Sequence, residues 1–210
     1  MLSTISLENI SYCRFLTKID KQWTQDQWRA RDIVRAVKGE TFGGSVQLSV
    51  AGTTRTLDKD HPEVAFEWFV EQVATTTKFP RGSNLCPIPD STCTVSCGRS
   101  SKTMRLAEAL IAGLPKLAIW DGLRFDCEMP KSSTSNMRDE EALYNALVTI
   151  ADFPKGHIIL LDDVCTTGAH ARAGARELRR MGAKSISSMS VARTMLNSDE
   201  QVLGFRADPL

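Results

Sequence analysis

The chain has 210 residues, with 26 Lys and Arg against 25 Asp and Glu and a formal net charge of +1, so it offers no bulk basic field for nucleic acid and no acidic tail. Its 42% hydrophobic and 24% charged residues are the composition of an ordinary globular protein, enough for one sizeable domain or a core with a smaller addition. The opening "MLSTISLENISYCRFL" lacks the basic start and apolar core of a signal peptide, and no stretch approaches the roughly 18 apolar residues of a membrane span. The cytoplasm is therefore the expected compartment, with no membrane partner and none indicated among nucleic acids. The 6 cysteines contain no CxxC pair and no neighbouring His at finger spacing, which predicts free thiols and no metal site, with Cys93 and Cys97 the closest two.

In chain order, Thr24 followed by Gln27 reads as a capping box. Trp28, Ile33, Val34 and Val37 then form an apolar stripe, and Gly39 stops the helix. "SVQLSVAGTTRTL" alternates around Ala51 and Gly52, as in a short hairpin. "DHPEVAFEWFVEQVA" restarts a helix with Asp60 as cap and Pro62 in its first turn. Residues 1–80 thus read as a mixed α+β accessory region.

From Arg81 short apolar runs alternate with helices: strand "NLCPIP", helix "SKTMRLAEALIAGL", strand "KLAIW", helix "MRDEEALYNALVTI", strand "HIILL", helix "AHARAGARELRRMG", strand "KSISSMSVA". Such alternation predicts a doubly wound α/β fold with a parallel sheet over residues 81–210. The run 158–161 is apolar without alternation, as a central strand covered on both faces requires. The Ser-rich "CEMPKSSTSNM", residues 127–137, reads as a loop.

The chemistry concentrates in "HIILLDDVCTTGA", residues 157–169. Asp162 and Asp163 are expected where the strand ends, at the crevice in which ligands of such sheets bind. Adjacent carboxylates suit vicinal hydroxyls such as those of ribose. Thr166, Thr167, Gly168 and Ala169 then wrap into a helix, with close backbone approach, amides facing one anion and two hydroxyl donors. Acids beside a phosphate cradle repel a bare phosphate but suit a sugar phosphate held at both ends. A P-loop is excluded because Ala169, not Lys, follows Gly168. A receiver-type site is excluded because too few elements follow. Cys165 reads as small filler, and His170 either as a surface residue of the helix or as a donor to phosphate. Arg172, Arg176, Arg179 and Arg180 read as a solvated face, and Trp23, Trp28, Trp68 and Trp120 as core or interface residues.

The stretch 157–169 resembles the phosphoribosyl pyrophosphate (PRPP) signature of type I phosphoribosyltransferases (PRTases). "NLCPIPDS" and "LRRMGAKSISSMSVART" are similar to the ComF-like and amidophosphoribosyltransferase-like branch, and the resemblance covers about residues 84–194. It implies that Asp162 and Asp163 bind the ribose 2′ and 3′ hydroxyls and that Thr166, Thr167, Gly168 and Ala169 bind the 5′-phosphate. Pro89, Asp90, Ser91 and Thr92, with Lys102, would lie near the pyrophosphate. The segment 123–137 would close over the sugar, with Arg124 and Lys131 meeting the leaving group. Mg²⁺ would come largely with PRPP, leaving no protein cage.

The implied activity is displacement of pyrophosphate from PRPP by a nitrogen nucleophile, a base or an amine. Such chemistry needs positioning and water exclusion more than a protein nucleophile. The alternatives are a non-catalytic PRPP or nucleotide-binding regulator and a competence or defence accessory protein on the same fold. The second substrate is not legible, and a homodimer through the cores stays open.

Overall fold

The structure is a computed structural model that describes residues 7–17, 22–129, 139–195 and 201–210. In chain order it runs β1 (Glu8–Phe15), α1 (Gln25–Lys38), β2 (Val46–Val50), β3 (Thr53–Leu57), α2 (Glu63–Thr76) and β4 (Asn84–Pro87). Then follow α3 (Met104–Gly113), β5 (Ala118–Ile119), β6 (Leu123–Phe125), α4 (Glu140–Ala146) and β7 (Leu147–Thr149). The last elements are β8 (Ile158–Cys165), α5 (Ala169–Arg180), β9 (Ile186–Thr194) and β10 (Leu203–Pro209).

One six-stranded sheet has the order β10-β1-β9-β8-β4-β5. Its neighbours are parallel except for the β1–β10 pair, which is antiparallel, so the sheet is mostly rather than wholly parallel. Central strand β8 is covered on both faces, as its unbroken apolar run requires. Ile159 and Leu161 pack with Ile33 of α1, Phe69 of α2 and Leu110 of α3, whereas Ile158 and Leu160 pack with Ala171, Ala175 and Leu178 of α5. Each fully buried Leu or Ile in these layers contributes about 2 kcal/mol of transfer free energy. α5 can lie this close because its inner face is built from small residues. A Cβ at Gly174 would stand 3.0 Å from Leu160 Cδ2.

The capping box forms as expected: Gln27 N donates to Thr24 Oγ1 at 3.3 Å and Thr24 N donates to Gln27 Oε1 at 2.9 Å. The hairpin turns at Ala51 and Gly52, both at positive φ. Helix α2 differs from expectation at its start. Asp60 does not cap it but pairs with Lys59, and Asp58 accepts the backbone N–H groups of Asp60 and His61 instead.

The helix expected over 137–150 ends at Ala146. Leu147, Val148 and Thr149 instead form β7 against β6. Two of those three are β-branched and prefer the extended backbone. The sequence reading also missed β1 and β10. β1 lies between β9 and β10, so the residues before 81 supply a strand to the sheet as well as cover to one face.

Among the described residues no helix is long and apolar enough to cross a membrane. Trp68 and Trp120 are buried as expected. Trp28 is not: it is 39% exposed and packs at a tilt against Trp23, with the Arg31 guanidinium 5.0 Å above its ring.

Candidate functional site

Two loops leave the sheet side by side. β4 pairs with β8 in parallel register, Pro87 opposite Leu161, and Ile88 N continues the ladder with a 2.9 Å bond to Leu161 O. The β4–α3 loop, carrying Pro89, Asp90, Ser91, Thr92 and Lys102, therefore begins beside Asp162. The chain from Asp162 to Ala169 follows on the neighbouring strand.

Asp162 and Asp163 lie within β8, which runs on to Cys165, rather than beyond its end. Both are partly buried. One oxygen of each is occupied locally, because Asp163 N donates to Asp162 Oδ1 at 2.8 Å and Val164 N donates to Asp163 Oδ1 at 2.6 Å. Burial, and then the neighbouring Asp163 charge, raise the Asp162 carboxyl well above the usual carboxylate range. Lys38, the last residue of α1, acts the other way, and this brings the N-terminal region to the site.

The turn after β8 is built for a helix start facing outward. Gly168 has φ +80°, and a Cβ there would stand 2.7 Å from Leu210 Cδ2 and 3.0 Å from an Arg172 guanidinium nitrogen. The position is therefore reserved for glycine. Thr167 Oγ1 accepts from Ala169 N at 3.4 Å, and the amides of the first turn of α5 have no acceptor within the helix. A shallow open hollow lies here, lined by Asp162, Thr166, Gly168, Ala169, His170 and Ser188, among others. Amide donors, a helix N-terminus and hydroxyls together favour an anion, while carboxyl oxygens at the same hollow favour hydroxyl groups.

The β4–α3 loop is organised by Asp90. Its Oδ1 accepts from Thr92 N at 3.0 Å and Thr92 Oγ1 at 2.7 Å, and its Oδ2 accepts from Lys102 N at 3.0 Å. Burial works to raise its pKa, yet the hydrogen bonds from Thr92 and Lys102 hold it below the usual value. Ser101 and Thr103 close the loop by donating to Ile88 O at 2.6 and 3.0 Å. Pro89 is buried beneath the loop, whereas Thr92 and Lys102 are exposed.

Arg124 departs from expectation. Its side chain is only 8% exposed and forks onto Asp121, with nitrogen to oxygen distances of 2.7 and 2.6 Å, so it holds the floor of the loop instead of projecting to a leaving group. Phe125, the next residue, donates to Cys93 O and accepts from Val95 N. Lys131 lies outside the described residues.

The arginine stripe of α5 is not simply solvated. Arg172 pairs with Glu140 at 2.6 Å and donates to Thr167 O at 2.9 Å. Arg176 pairs with Glu141 and lies 3.9 Å over the Tyr144 ring, and Arg180 pairs with buried Glu177 at 2.7 Å. Arg172 is thus a cation at the candidate phosphate turn that the sequence reading missed. The available signal was its spacing of four from Gly168, one helical turn away. Ser188 and Lys38 carry no local signal and are brought in by the fold.

No group of three or more His, Cys, Asp or Glu suited to a metal ion occurs among the described residues. Asp162 and Asp163 are hard oxygen donors, and two carboxyls with substrate oxygens are a usual environment for Mg²⁺.

No protein-family model matches the sequence, and no curated protein matches it. Among solved structures, an orotate phosphoribosyltransferase from Aeropyrum pernix is similar over 78% of this chain and 79% of its own, at 17% identity and a TM-score of 0.36.

Proposed function

We propose that this chain binds PRPP and, with Mg²⁺, transfers its phosphoribosyl group to a nitrogen nucleophile, a base or an amine. The observation that carries the reading is the adjacency of the two loops. The Ile88 N to Leu161 O bond of 2.9 Å sets the β4–α3 loop beside the acid pair and the glycine turn of β8. Such spacing suits a ligand with phosphates at two ends and hydroxyls between.

In this reading Asp162 and Asp163 take the ribose hydroxyls, and Thr166, Thr167, Gly168 and Ala169 take the 5′-phosphate, with Arg172 adding a cation. The Asp90-ordered loop, with Ser91, Thr92 and Lys102, takes the pyrophosphate, and buried Pro89 supports it from below. Asp90 itself is turned onto the loop's own amides, which keeps its charge from opposing the pyrophosphate. Mg²⁺ would be held by the acid pair and by PRPP oxygens, screening the leaving group. The N-terminal region, whose Lys38 reaches the field of Asp162, would close on the second substrate.

A binding-only role is favoured by one observation: Arg124, expected at the leaving group, is consumed by Asp121. Calorimetric titration with PRPP and Mg²⁺ tests both readings, with Asp163→Asn as control. Absence of heat from the wild type would sink both. Binding without pyrophosphate release across a panel of bases and amines would select the regulator.

A further inference from the structure

The β4–α3 loop holds a chemistry that PRPP binding does not use. Cys93 is buried, at 1% exposure, and Cys97 is exposed. The Cys97 sulfur accepts from Thr94 N at 3.3 Å and from Arg99 N at 3.4 Å, and lies 3.0 Å from Thr92 O. Thr92 O and Thr94 N belong to the two peptide groups that flank Cys93, so the Cys97 sulfur rests against the backbone of Cys93. The Cys93 thiol in turn donates to Arg99 O at 3.1 Å. Both sulfurs therefore lean on one residue, Arg99, from its N–H and from its carbonyl.

The two thiols are also differentiated. The Arg99 amide, followed by the contacts from Thr94, holds the Cys97 thiol below its ordinary value, and Arg124 lies near enough to feel both sulfurs. Burial pushes Cys93 up to about 11. An exposed, amide-solvated sulfur in front of a buried one is the arrangement of an attacking and a resolving cysteine.

We infer that Cys97 and Cys93 form an oxidisable pair in which a hydroperoxide first oxidises Cys97 and Cys93 then closes an intramolecular disulfide. The Cys97 thiolate attacks the distal peroxide oxygen, the O–O bond breaks, and the alkoxide or hydroxide released takes up a proton. Two electrons have passed from sulfur to oxygen, leaving a sulfenic acid. The Cys93 sulfur then attacks the Cys97 sulfur, and the departing hydroxide and the Cys93 proton leave as water. In sum, two thiols and one hydroperoxide give one disulfide, one water and one alcohol, or a second water when the oxidant is hydrogen peroxide. The bond would cost Cys97 its contacts with Thr94 and Arg99 and so reshape the loop that Asp90 organises.

Cys127 supplies an internal control. It is also exposed, but its hydrogen bond with Asp126, followed by burial and the Asp126 charge, raises it. Hydrogen peroxide followed by non-reducing peptide mapping is expected to give a Cys93–Cys97 cross-link. Iodoacetamide is expected to label Cys97 several-fold faster than Cys127. In Cys93→Ser the cross-link is lost and Cys97 accumulates as a dimedone adduct, while Cys97→Ser gives neither product. Equal labelling of Cys97 and Cys127, or a cross-link that bypasses either loop cysteine, would overturn the inference. No PRPP enters the readout, so this result and the fate of PRPP binding are separate.

Discussion

The backbone N–H of Ile88 donates to the carbonyl of Leu161 at 2.9 Å, one rung beyond the last paired residue of β4. That rung fixes where the chain leaves the sheet on one strand relative to where the acids begin on the next. Parallel neighbours send their following loops from the same edge, which is why ligands of open α/β sheets bind there. A loop 72 residues earlier in the sequence, ordered by Asp90, thus stands beside the pair at 162 and 163. The two helices that follow, α3 and α5, lie on opposite faces of the sheet.

Gly168→Ala tests the turn. Its φ of +80° is a left-handed conformation, and the added methyl would stand 2.7 Å from Leu210 and 3.0 Å from Arg172. Conformational strain alone costs about 1 kcal/mol, and relief of the contacts would move Arg172 off Thr167. Urea unfolding should show a loss of at least that size, and PRPP titration a weaker complex. Unchanged stability with unchanged affinity would show that the turn tolerates a side chain and does not cradle the ligand.

Much of this site was legible because its parts are local. The apolar run of β8, the acid pair, the glycine turn and the small-residue face of α5 each sit within a few residues of sequence. Legibility failed where partners are distant. β1 hides because Asn9 and Ser11 are buried polar residues. Asn9 is satisfied by Ser188 and Ser190 from the far end of the chain, with bonds of 2.9 and 3.1 Å, so no hydrophobic alternation marks the strand. Arg172 looked like one of a solvated row until Glu140, 32 residues away, and Thr167 claimed it. Arg124 looked free for a ligand because its carboxylate, Asp121, belongs to a neighbouring turn whose fold the pattern did not show.

Asp162→Asn separates stability from binding. A folded-state value above the unfolded one means that the folded chain keeps this proton where the unfolded chain has released it. Stability therefore falls as pH rises from about 4, the unfolded carboxylate value, through the raised folded value. Asparagine removes that penalty, so the variant should be more stable than the wild type at pH 8 and near it at pH 4.5. Its PRPP affinity should nonetheless drop. Urea midpoints at the two pH values read the first expectation, and a gain equal at both would refute the raised carboxyl.

The Asp121–Arg124 pair predicts an asymmetric outcome. Asp121→Ala leaves a guanidinium that is 8% exposed without its carboxylate, which costs about 3 kcal/mol. Arg124→Met removes the buried charge and keeps much of the stem's packing, so its cost should be smaller, about 1 kcal/mol. If Arg124 serves the loop floor and not the leaving group, the Met variant should bind PRPP within a few-fold of the wild type. A loss of pyrophosphate release with intact binding and stability would instead return Arg124 to the reaction.

Asp90 is the residue on which the order of the β4–α3 loop should depend most. Its two oxygens accept three hydrogen bonds, from Thr92 N, Thr92 Oγ1 and Lys102 N, and tie the start of the loop to its end. Asp90→Asn keeps one oxygen but faces the Lys102 amide or the Thr92 donors with an NH₂ group. For a partly exposed site the net loss should be about 1 kcal/mol. Because hydrogen bonds hold the Asp90 pKa low in the folded state, its contribution is present above the unfolded value of about 4. It disappears as pH falls through the lower folded value. The gap between wild type and Asp90→Asn should therefore be full at pH 7 and close on acidification below pH 4. At pH 7 the variant should also lose PRPP affinity more than it loses stability, since the loop opens before the sheet does. Denaturation series at both pH values and a PRPP titration at pH 7 measure these outcomes. A gap that persists unchanged in acid would mean that the Asp90 charge does not organise the loop.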